Sequence, residues 1–168
     1  AYHPHGNVIY VNACGMQNMD HSVMLMEGGS CVLRNGKCLY QAPYFQEDYA
    51  LVDLASQKED NEKPRSLLAA LTMGIQQFDA QVFAGKLPWI VGMSGGLDSS
   101  VTAALLVYAL GKQRVYGYNL ATRHNRDITK SNARQEAQAL GIAYREGAIE
   151  ALVEATETTL LQEYGYDV

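Results

Sequence analysis

Apolar residues change their rhythm half-way along the chain. In the first half they form short runs and alternations. Val8, Ile9, Tyr10 and Val11 read as one strand, and residues 30–34 and 37–41 flank Asn35-Gly36, the dipeptide that best supplies the two positive φ values of a type I′ hairpin turn. The register set by that turn puts Leu33 opposite Cys38 and Cys31 opposite Tyr40. Those four then share one side of the ribbon, with Val32, Arg34, Lys37 and Leu39 on the other. A further strand is expected at 49–54, after a bend at Ala42-Pro43. Residues 55–64 turn polar and charged without apolar periodicity, and read as a linker.

Beyond the linker the spacing becomes helical and then alternates. A helix over about 65–83 carries Leu67, Leu68, Leu71, Ile75 and Phe78 on its apolar stripe, and a strand at 88–93 follows Gly85. Next come a helix over about 99–110 ended by Gly111, a strand at 115–120, and a helix over about 128–140 with Asp127 as N-cap and Gly141 as stop. A short strand at 143–145 and a helix over about 149–163, with Ile149, Leu152, Val153, Thr156 and Leu160 inward, complete the pattern. Strands alternating with helices of this length predict an α/β fold, a Rossmann-like parallel sheet with helices on both faces. Tyr116 and Tyr118 are expected one on each face of the sheet, as core residues, with Gly117 between them leaving room for a ligand.

Composition sets limits on what this fold does. At 168 residues and 48% hydrophobic content, the chain suffices for one ordinary domain or two incomplete ones. No run of about 18 apolar residues and no basic-then-apolar start occurs, so no membrane span or secretory signal is read and a cytoplasmic location is expected. A net charge of −5 with both signs interspersed argues against a nucleic-acid partner. Cys14, Cys31 and Cys38 lack metal-ligand spacing and read as small apolar groups. His3, His5 and His124 read as surface or capping residues, since none has a cluster of partners.

The chemistry concentrates after the strand Trp89-Ile90-Val91-Gly92-Met93, which runs into Ser94-Gly95-Gly96 and then into a helix. That places a loop at the C-terminal edge of a parallel sheet and at a helix N-terminus, where open α/β sheets bind ligands. Two glycines let the backbone turn tightly, and the unpaired N–H groups of the first helical turn attract an anion. Ser94, Ser99 and Ser100 add hydroxyl donors. Asp98 puts a carboxylate beside this anion site, a conflict that a divalent cation resolves. Mg²⁺ shared between phosphate oxygens and Asp98 is therefore expected. Read blandly, the same residues make a glycine turn with Asp98 as helix cap. The loop lacks the lysine of a Walker A motif, which argues against a kinase or a P-loop ATPase.

Gly92-Met93-Ser94-Gly95-Gly96-Leu97-Asp98-Ser99-Ser100 resembles the signature of the ATP-pyrophosphatase superfamily, whose fold is adenine nucleotide α-hydrolase-like. The resemblance implies that these nine residues bind ATP. Members adenylate a substrate oxygen, release pyrophosphate, and let a nitrogen or sulfur nucleophile displace AMP. The flanking sequence narrows the choice. Tyr10-Val11-Asn12 to Gly15, Met26-Glu27-Gly28-Gly29-Ser30, Asn35-Gly36 and Ala42-Pro43 are similar to the end of a nitrilase-type glutaminase domain, an α/β sandwich. The order resembles the glutamine-dependent NAD synthetases, with glutaminase tail at 1–55, linker at 56–64 and the start of the synthetase domain at 65–168.

That resemblance implies a ligase that amidates deamido-NAD to NAD with ATP, Mg²⁺ and ammonia from glutamine. The apolar strand edges that a split glutaminase tail exposes lead to the expectation of a homo-oligomer, or of association with the missing segments. The resemblance places Leu120-Ala121-Thr122-Arg123-His124 beside adenosine, with Arg123 as an ATP contact, although the family carries proline where this chain has Ala121. The glutamate, lysine and cysteine of the glutaminase have no match here, and Cys14 falls at an ordinary position. A chain that stops at Val168 is expected to be a fragment without most of the deamido-NAD site. The rival readings are a tRNA-thiolating ATP-pyrophosphatase and a non-catalytic nucleotide-binding or assembly fragment.

Overall fold

The computed structural model describes residues 6–19, 22–121 and 127–165. The alternating first half folds into β1 (Asn7–Tyr10), β2 (Cys14–Met19), β3 (Ser22–Glu27), β4 (Cys31–Arg34) and β5 (Lys37–Gln41). Asn35 and Gly36 take φ of 50° and 81°, as a type I′ turn requires, and join β4 to β5. β1 pairs antiparallel with the other edge of β4, giving the order β1-β4-β5. Leu33 stands opposite Cys38 as the turn predicts, but the register shifts between Val32 and Leu33. Tyr40 thus faces Val32, and Cys31 faces Gln41 instead of Tyr40. Such a bulge inserts one extra residue, here Leu39 of β5, and brings Tyr40 to the side of Val32, the buried residue of β4.

Residues 49–54 form no strand; Tyr49 and Leu51 are 92% and 95% exposed. The edge of β5 on which a strand would pair is engaged by Asp60. Its N–H donates to the Cys38 carbonyl at 2.9 Å, and its carboxylate accepts from the Gln41 N–H at 3.0 Å. Lys63 closes on the other carboxylate oxygen at 3.0 Å. These donors hold the Asp60 carboxyl below its ordinary range, Lys63 foremost. The expected linker is therefore a strap fastened along β5.

β2 and β3 form a separate antiparallel hairpin, a pairing that the sequence did not announce. On it packs α1 (Leu67–Phe83), started by Ser66, whose hydroxyl accepts from the Ala69 N–H at 3.2 Å. The stripe Leu67, Leu68, Leu71 is exposed; the buried positions are Ala70, Met73 and Asp79. Small and polar groups make the contact. Gly74 leaves room for Leu25, whose methyls would lie 3.1–3.2 Å from an added Cβ. The Gln77 side chain accepts from the Met16 N–H. The chain divides into two compact units between Gly85 and Lys86, so α1 groups with the strands that precede it.

The second unit holds β6 (Trp89–Gly92), α2 (Leu97–Leu110), β7 (Val115–Ala121), α3 (Asp127–Leu140), β8 (Ala143–Ala148) and α4 (Glu150–Tyr164), with one 3₁₀ turn at Lys112–Arg114. The strands are parallel in the order β6-β7-β8. α2 lies over β6 and β7, and α3 over β7 and β8. Ala103, Ala133 and Ala137 bring both helices close, and Val91, Met93, Val115 and Leu106 fill the core between. Arg134 on α3 grips Glu146 on β8 with a two-pronged ion pair, 2.8 Å to one oxygen and 3.0 Å to the other. No described residue of α4 is buried, so the inward set expected there, Leu152 included, is not a core face.

Tyr116 and Tyr118 lie on the same face of the sheet, with Ile90, around a hollow of about 320 Å³. Residues two apart on a strand share a face, which corrects the expectation of one on each. Gly117 points to the helix side, where an added Cβ would stand 2.6 Å from the Met93 sulfur and 3.1 Å from the Tyr144 ring. Its missing side chain accommodates packing, not a ligand.

Candidate functional site

β6 ends at Gly92, and the loop of residues 93–96 enters α2 through Gly96, which serves as N-cap with extended backbone and without any side-chain cap. The first-turn amides of Leu97, Asp98 and Ser99 have no earlier carbonyl within the helix to bond. They form the positive end of α2, turned toward the C-terminal edge of the sheet. Gly95 has a φ of 76° and lies so close to α3 that an added Cβ would come within 2.0 Å of the Thr129 carbonyl oxygen. Gly92 differs: its φ is not positive, and nothing lies within 4 Å of where a Cβ would be. Its bareness leaves space in a cavity of about 700 Å³ lined by Ile90, Gly92, Met93, Ser94, Tyr118, Asn119 and Leu120.

The serines hold the loop in shape. Ser99 Oγ donates to the Gly96 carbonyl at 3.0 Å and accepts from the Ser94 N–H at 3.2 Å. Ser100 Oγ donates to the same carbonyl at 2.6 Å, and Ser94 Oγ accepts from the Gly96 N–H at 3.3 Å. Asp98 is exposed in the first turn of α2, and the N-cap is Gly96, so Asp98 is not the cap. Gly92, Met93 and Ser94 thus line the cavity and residues 95–100 continue from it into α2, whereas Arg123 and His124 lie outside the described residues.

Sequence reasoning missed Asn119. This β7 residue is 4% exposed, and its side-chain amide donates to the Met93 carbonyl at 2.7 Å. The Met93 N–H in turn donates to the Tyr118 carbonyl at 2.7 Å. An asparagine inside an otherwise apolar strand, facing the covered side, was the available signal.

Elsewhere, Cys14 is half-buried with its sulfur 3.9 Å from that of Met73. Burial and then the nearby Glu47 push its thiol pKa up, away from the thiolate a nucleophile needs. Among the described residues no three His, Cys, Asp or Glu side chains cluster to hold a metal.

A parallel sheet, a glycine turn and an uncapped helix start describe many nucleotide sites; the comparison with known proteins decides among them. Residues 56–167 match the NAD synthase family model. The chain belongs to the NAD synthase family. The glutamine-dependent NAD(+) synthetase of Synechocystis sp. is 34% identical over 146 residues, 80% of this chain and 25% of that protein. The glutamine-dependent NAD(+) synthetase of Acinetobacter baylyi is 24% identical over 167 residues, 95% of this chain and 30% of that one. The structure of glutamine-dependent NAD+ synthetase from Acinetobacter baumannii in complex with ADP superposes with a TM-score of 0.80 at 26% identity, covering 96% of this chain and 32% of that one. The chain therefore spans about a quarter to a third of the length of these relatives. Its α/β fold, a parallel sheet flanked by helices, is that of the NAD synthetase family.

Proposed function

We propose that this chain supplies the ATP-binding part of a ligase that amidates deamido-NAD to NAD, with ammonia released from glutamine. The observation that carries the reading is the uncapped start of α2 behind a turn held by Gly95, next in sequence to the cavity lined by Gly92, Met93 and Ser94. The amides of residues 97–99 and the hydroxyls of Ser94 and Ser99 then take the phosphates of ATP. Asp98, an exposed carboxylate in the first turn of α2, is the residue that would hold Mg²⁺ there. When bound, the ion would supply neutralisation of the charge on the departing pyrophosphate.

In the reaction, a carboxylate oxygen of deamido-NAD bonds to the α-phosphorus as the bond to pyrophosphate breaks. Ammonia then attacks the activated carbonyl carbon, and AMP leaves with the C–O bond electrons. Residues 92–100 bind and orient the triphosphate, and we assign Arg123 to the same ligand. We assign the first strands to the end of a nitrilase-like glutaminase domain, residues 56–64 to the connection and 65–168 to the synthetase domain. The glutamine-dependent relatives, aligned over most of this chain, support that assignment. Homo-oligomeric assembly and a cytoplasmic location belong to the same proposal.

The test is pyrophosphate release by the full-length protein with Mg·ATP and ammonia, offering deamido-NAD, xanthosine monophosphate or aspartate in turn. Release with deamido-NAD alone, abolished by Asp98→Ala, supports the reading. Release with another acceptor overturns the substrate.

A further inference from the structure

Asn119 is a nearly buried polar side chain with no part in the chemistry above. Its amide nitrogen donates to the Met93 carbonyl at 2.7 Å, at the residue where β6 gives way to the loop. The Met93 N–H still bonds to β7, through the Tyr118 carbonyl, while the Met93 carbonyl takes a side chain. That carbonyl belongs to the same rigid peptide plane as the Ser94 N–H, and the Ser94 N–H donates to Ser99 Oγ at 3.2 Å. Fixing one end of the plane fixes the other. Asn119 therefore orients, through a single peptide group, the Ser99 hydroxyl that ties the loop to the first turn of α2.

We infer that Asn119 is a positioning residue for the triphosphate: its carboxamide locks the Met93–Ser94 peptide and through it Ser99 and the start of α2. The inference rests on the ATP-binding role proposed for this loop. It concerns the phosphates beyond the first, because the locked group lies at the root of the loop that grips them. Replacing the donor with an acceptor of the same shape, Asn119→Asp, sets oxygen against oxygen at Met93 and rotates the plane. Asn119→Ser, too short to reach Met93, removes the bond without adding charge.

The experiment is calorimetric titration of the full-length wild type, Asn119→Asp and Asn119→Ser with Mg·ATP and, separately, with AMP, each protein checked for cooperative melting. The expected result is a Kd for Mg·ATP raised about tenfold or more, in keeping with the loss of one buried hydrogen bond, and a Kd for AMP within about twofold of wild type. If Asn119→Asp does not melt cooperatively, Asn119→Ser decides. Unchanged Mg·ATP affinity in a folded variant overturns the positioning role, as does an equal loss for AMP. A wild type that binds AMP and Mg·ATP alike, or neither, overturns the phosphate-loop reading itself, and is recognised before any variant is compared.

Discussion

The α-carbon of Gly95 is packed against the Thr129 carbonyl so closely that a methyl group there would lie 2.0 Å from the oxygen. Backbone meets backbone, so no side chain can rotate away. The glycine pair is therefore not two equal members. Gly95 couples the loop to the first turn of α3 and needs its positive φ, while Gly96, at φ −102°, would place a methyl 3.3 Å from a movable serine hydroxyl. Gly95→Ala is expected to destabilise the protein by about 2–4 kcal/mol, from overpacking and left-handed strain together. Gly96→Ala is expected to cost well under half of that. Chemical denaturation of both variants measures the difference.

Gly92 yields the opposite outcome. Neither its φ nor any neighbour within 4 Å demands glycine, so Gly92→Ala is expected to leave the melting temperature unchanged within about 1 °C. Gly92→Val projects into the cavity of about 700 Å³ and is expected to weaken Mg·ATP binding by about tenfold or more without unfolding the chain. A variant that lost stability and kept its affinity would show that this glycine serves the fold.

Tyr144 supplies a pH signature. Burial, and then the Glu146 carboxylate beside it, raise its phenol from 10.0 to about 12. The folded state therefore keeps the proton longer than the unfolded state does. The stabilising contribution is complete below pH 10, begins to fall as unfolded tyrosine ionises, and is lost by about pH 12. Thermal melts between pH 9 and pH 12 should decline less steeply for Tyr144→Phe than for wild type. A phenolate absorbance titration should lose one late-ionising tyrosine in that variant.

What the sequence announced and what it hid separate along physical lines. Asn35-Gly36 and the alternation from β6 to α4 were legible because each rests on local chemistry, either a turn that needs positive φ or an apolar period. The shift between Val32 and Leu33 was not, since a bulge depends on how three strands fit together. The face of α1 was misread because its contact with β2 and β3 uses Ala70, Gly74 and Gln77 in place of its leucines. A strand at 49–54 was expected from its apolar residues, yet Tyr49 and Leu51 stay exposed and the free edge of β5 is engaged by Asp60. In the site, the loop residues were readable as a motif. Asn119 was not, because its meaning lies in a bond to a carbonyl 26 positions earlier.

Met93 closes the junction of strand and loop from within. Only 1% exposed, its sulfur fills the space that Gly117 leaves. A thioether sealed this way is shielded from peroxide, and the bulkier, polar sulfoxide has no room beside the Gly117 backbone. Oxidation of this methionine is then gated by opening of the junction, so its rate is a clock for how often the strand and the loop part company.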